Sequence, residues 1–102
     1  MGKNRIRESL IRKIANLAVH EIVAKHTNQP EAVPFLRAEI AEYRSKTQKT
    51  AAEYNWNDED RNYAADKTAK MVKEKLSAKY SDVKYGEGEI AKILKEIIGE
   101  LM

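Results

Sequence analysis

The chain has no cysteine, two prolines, four glycines and two histidines among its 102 residues. Each shortage excludes something. Without cysteine there is no disulfide, no thiolate metal site and no thiol nucleophile, and a crosslinked secreted scaffold is disfavoured, so a cytoplasmic protein is expected. No uninterrupted apolar run follows Met1-Gly2-Lys3-Asn4-Arg5, and no window approaches the roughly 18 apolar residues of a membrane span. No membrane partner is therefore expected.

Catalytic signatures are missing as well. The chain contains no G-x-S-x-G elbow and no phosphate-binding loop of the Walker type, and Gly86-Glu87-Gly88 lacks the third glycine and the preceding strand of a dinucleotide fingerprint. His20 and His26 stand six residues apart around Glu21. At about 100° per residue, six steps turn the second imidazole roughly 120° away from the first, so a single ion does not bridge them easily. Neither histidine follows a glutamate by three residues, as helical di-metal sites require. Glu39 and Glu42, and the group Asp58, Glu59, Asp60 and Asp66, read as capping and solvating charge. The expectation is a protein without metal, cofactor or enzymatic activity.

What the sequence has in quantity is helical periodicity. Ile6, Leu10, Ile14 and Leu17, joined by Ile11, Ala18 and Ile22, predict a helix from Arg5 to Lys25 with Asn4 as its N-cap. Between Leu17 and Ala24 this helix has almost no polar face, which marks it as central. Asn28 to Val33 is a break, since the residue before Pro30 is pushed out of the helical region. Pro34 fits the first turn of a second helix. Leu36, Ile40, Tyr43, Thr47, Ala51 and Tyr54 carry that helix to Tyr54, continuous through the polar stretch 44–50.

Asn57 followed by Asp58-Glu59-Asp60 is a strong start for a third helix, with a capping side chain and then three carboxylates at the positive end of the dipole. Its thin stripe is Ala65, Ala69, Val72, Leu76 and Tyr80, with Lys70, Lys73, Lys75 and Lys79 toward its negative end. Glycines at 86 and 88 mark the last break. Ile90, Ile93, Leu94, Ile97, Ile98 and Leu101 then form the cleanest amphipathic helix of the chain. No period-two alternation competes. An all-α, four-helix bundle-like array follows, one domain over residues 1–102, of a size that buries a modest core.

Charge is uneven along this row of helices. Residues 1–29 hold six Lys and Arg against two Glu, a net of +4, more than the +3 of the whole chain. Residues 85–102 hold two Lys against four Glu, a net of −2. Charged residues are 34% of the total, a composition common in thermophile proteins. Two functions fit. The leading one is a non-catalytic interaction or assembly module, docking a partner protein or a second copy of itself through Ile90, Leu94, Ile97 and Leu101. The alternative is nucleic-acid binding through Lys3, Arg5, Arg7, Arg12, Lys13, Arg44, Lys46 and Lys49, with Trp56 as a platform for stacking single-stranded bases.

Overall fold

Three helices pack around a central fourth. In the computed structural model, which describes residues 2–27, 29–86 and 88–102, α1 (Lys3–His26) packs against α2 (Val33–Ala51), α3 (Asp58–Lys79) and α4 (Glu89–Leu101). Leu10, Ile14, Leu17, Ala18 and Ile22 have no exposed surface. At about 1.5–3 kcal/mol for each fully buried Leu or Ile side chain, this central helix supplies the largest share of the apolar stabilisation. The predicted bundle is thus the observed one. Met1, Asn28 and Glu87 lie outside the described residues.

The helix boundaries differ from the predicted ones for tertiary reasons. α1 begins at Lys3, two residues early, with extended Gly2 as its N-cap. The Gly2 carbonyl accepts from the Arg5 N–H at 3.1 Å, so Asn4 lies within the first turn and caps nothing. An ion pair from Lys3 Nζ to Asp60 of α3, at 3.0 Å, ties down that extra turn. α2 follows a short 3₁₀ turn (Pro30–Ala32), with Pro34 in its first turn as predicted. It runs unbroken through residues 44–50, where Thr47 and Thr50 are buried. Their hydroxyls donate to the Tyr43 and Lys46 carbonyls at 2.6 and 3.3 Å, which satisfies them without a water.

α2 stops at Ala51, three residues short of Tyr54. Trp56 folds back onto this end, and its indole Nε1 donates to the Ala51 carbonyl at 2.8 Å, satisfying a carbonyl that a helix terminus leaves without a partner.

α3 opens with a reciprocal capping box. The Asp60 N–H donates to the Asn57 side chain at 2.8 Å, and the Asn57 N–H donates back to Asp60 Oδ2 at 3.3 Å. The buried stripe is Asp60, Ala64, Thr68, Val72 and Leu76, so Ala65 and Ala69 are corrected by one position. Asp60 turns inward to Lys3 and Arg7, and residues spaced by four from it then face α1.

α4 buries Ile90, Leu94, Ile97 and Ile98 within the bundle, leaving Leu101 half-buried. The stripe expected to receive a partner is therefore already covered, chiefly by α1 and α3. Among the described residues no helix is long and apolar enough to cross a membrane.

Two carboxylates tie the ends of helices together. His26 at the C-terminus of α1 meets Glu89 at the start of α4, Nε2 to Oε2, at 2.6 Å. That bond holds the Glu89 carboxyl below its ordinary pKa. Asp60 is held down in the same way, first by the bond from Lys3 and then by the Asn57 N–H and Arg7, against the opposing effect of burial.

A lowered folded-state pKa adds stability above the ordinary carboxylate range, about 4, and that stability is lost as pH falls through the lowered value. The unfolding midpoint of the wild-type protein should accordingly drop more steeply below about pH 4 than that of Asp60→Asn,Glu89→Gln. Urea titrations between neutral and acid pH test this. Parallel curves would show that neither pair is coupled to folding.

Candidate nucleic-acid interface: a cationic groove over helix α1

α2 and α3 flank α1 without packing on each other, so the face of α1 between them is open. Its sequence is polar there. Ser9, Arg12, Lys13, Asn16 and His20 recur at intervals of three and four, the spacing of one helical face. Tyr43, Lys46 and Thr47 of α2 form one wall, and Lys75, Lys79 and Tyr80 the other. Together they enclose two adjoining clefts, of about 370 and 250 Å³, that share Asn16, Tyr43 and Lys75.

The larger cleft is lined by Ser9, Arg12, Lys13, Asn16, Tyr43, Lys46, Thr47 and Lys75. Four of these are cations and none is a carboxylate. Lys13 Nζ donates to Thr50 Oγ1 at 2.6 Å, and Lys75 Nζ to Asn16 Oδ1 at 3.3 Å. Both acceptors are neutral oxygens, so the ammonium heads are positioned without being neutralised. Lys46 approaches Glu42 at 3.5 Å, but both side chains are more than half exposed, and an i,i+4 pair in water is worth only about 0.3–0.5 kcal/mol.

The smaller cleft is lined by Asn16, Val19, His20, Tyr43, Lys75, Lys79 and Tyr80. The His20 and Tyr43 rings lie 4.9 Å apart, tilted by 51°. His20 Nδ1 is 2.7 Å from the Asn16 carbonyl oxygen. A carbonyl can only accept, so Nδ1 carries the proton, and Nε2 faces Glu39 at 3.7 Å.

The structure brings together only some of the basic residues that the sequence offered. Arg12, Lys13 and Lys46 meet in the groove. Lys3 and Arg7 turn away to share Asp60, at 3.0 and 2.9 Å. The Arg7 guanidinium also lies 4.1 Å over the Tyr63 ring, and the Tyr63 hydroxyl donates to Glu8 at 2.7 Å, a bond that raises the Tyr63 pKa. This cluster joins two helix starts and cancels its own charge. Arg44 reaches in another direction, to Glu21 at 3.3 Å and Glu100 at 2.8 Å. Arg5 and Lys49 are exposed and line neither cleft.

Trp56 is corrected outright. It is 8% exposed, packed against Tyr54 with ring centroids 6.0 Å apart, and engaged with the end of α2. It is a structural cap, not an open stacking platform.

Lys75, Asn16 and Tyr43 are the groove residues that sequence reasoning missed as a set. Lys75 reads as a dipole cation and Tyr43 as core. The available signal was the polar stripe 9, 12, 13, 16 and 20, which runs along α1 beside its apolar face. Among the described residues no cluster of three or more His, Asp or Glu could hold a metal ion. No protein-family model, curated protein or solved structure matches the chain.

Proposed function

We propose that the protein binds nucleic acid, with backbone phosphates seated in the groove among Arg12, Lys13, Lys46 and Lys75. The observation that carries this reading is the charge of the larger cleft. Four cations line it without a carboxylate, in a chain whose 19 Lys and Arg are nearly balanced by 16 Asp and Glu. Such a cluster repels itself and gains most from a ligand that supplies closely spaced negative charge. Arg12 contributes a planar fork suited to phosphate oxygens, and the lysines act as point charges. The Ser9 hydroxyl in the same lining is a neutral donor of the kind that accompanies phosphate contacts. The apolar face of α4, on which self-assembly would have relied, is occupied within the bundle.

Fluorescence anisotropy with a labelled oligonucleotide at several salt concentrations tests the proposal. The triple variant Arg12→Gln,Lys46→Gln,Lys75→Gln should bind a single strand at least about tenfold more weakly, since hydrogen bonds to charged groups are worth about 1.5–3 kcal/mol. Its slope of log affinity against log salt should fall by about 2, because each lost phosphate contact removes about 0.7 released counterion. Lys70→Gln,Lys92→Gln,Lys95→Gln, with the same loss of net charge away from the groove, should change affinity little. Equal losses in both triples, or no salt-dependent binding by wild type, would refute the groove as the site.

A further inference from the structure

The two clefts differ in chemistry, and the difference points to the form of the ligand. The larger one carries the four cations, while the smaller one is walled by the His20 and Tyr43 rings on one side and by Tyr80 on the other. Lys75 and Asn16 stand at the junction of the two. We infer that the ligand is single-stranded, with its phosphates in the larger cleft and one base inserted into the smaller cleft against Tyr43 and His20. This inference rests on the nucleic-acid reading above and adds the class of strand.

In a duplex each base is stacked on both faces and paired along its edge, so it reaches a side cleft only by leaving the stack, at an unstacking cost. A single strand has no pairing to break and the smallest unstacking cost, and every base offers a face to an aromatic ring. The cleft of about 250 Å³ has Tyr43 of α2 on one flank and Lys75 and Lys79 of α3 on the other. From Ser9 to His20 the groove floor measures about 16 Å at 1.5 Å per residue, which limits the contact to a few nucleotides. Lys79 and the Asn16 side chain add polar groups beside the base position.

The test uses two independent changes, one in the protein and one in the ligand. Wild type should bind a short single strand at least about tenfold more tightly than the corresponding duplex at the same salt. Tyr43→Leu keeps an apolar side chain against α1 and should lose about tenfold for the single strand, as expected for one stacked base, with an unchanged salt slope. An oligomer of abasic sugar–phosphate units carries the same charge without bases. Wild type should bind it about tenfold more weakly than the normal strand, and this comparison does not depend on how any variant folds.

If wild type binds duplex and single strand alike, or binds the abasic oligomer as well as the normal one, base insertion is wrong while the cationic groove stands. If Tyr43→Leu is folded and binds like wild type, base insertion is equally wrong. If wild type binds none of these ligands, the nucleic-acid reading itself fails, and the inference with it.

Discussion

Leu17→Ala should lower the free energy of unfolding by about 2–5 kcal/mol. Leu17 has no exposed surface and sits near the middle of α1, which packs against all three other helices. Removing three side-chain carbons there forfeits their transfer free energy and leaves a cavity bounded by several helices. Such a site cannot collapse around the gap, because moving any one neighbour breaks its packing elsewhere. Against a typical total of about 5–15 kcal/mol, this one change removes a large fraction of the stability.

Urea unfolding followed by circular dichroism, and by the emission of the only tryptophan, should give coincident shifted transitions. Phe35→Ala provides the contrast. Phe35 is 78% exposed, so its loss should change stability by no more than about 0.5 kcal/mol. If Leu17→Ala unfolds at the wild-type midpoint, α1 is not the centre of the core.

Trp56→Ala should cost about 3–5 kcal/mol of stability, the range for removing a large buried aromatic. Trp56 fills the space between the end of α2 and the start of α1, with Tyr54 at its edge and Lys3 Nζ 5.4 Å from its ring centroid. It also supplies the N–H that satisfies the Ala51 carbonyl. Trp56→Phe keeps most of the ring and loses the donor, so it should cost less, about 1–3 kcal/mol for the Ala51 carbonyl left without its partner. Circular dichroism measures both, since the fluorescent group is gone. Under conditions where Trp56→Phe is fully folded, its affinity for a single strand should equal that of wild type. A selective loss of binding in a folded Trp56→Phe protein would return Trp56 to the ligand site.

Several features of this molecule are local and were determined by the sequence alone. The all-α class follows from apolar spacing that only a helix places on one face, and the central position of α1 from a segment apolar nearly all round. The start of α3 follows from Asn57 and the carboxylates after it, because a cap forms within four residues and needs no partner from elsewhere. Pro34 in the first turn of α2 is legible for the same reason.

The groove is of another kind. Lys75 is separated from Asn16 by 59 positions and Lys13 from Thr50 by 37, and nothing in the local pattern says that these side chains meet. Only the packing of α2 and α3 on either flank of α1 turns a polar stripe and scattered lysines into one cationic surface. The same packing decided which positive charges remain available. Lys3 and Arg7 are drawn into a cluster with Asp60 and Glu8, and Arg44 is paired with Glu21 and Glu100, because a charge in a folded chain is set by what stands opposite it, whereas the sequence shows only what stands beside it.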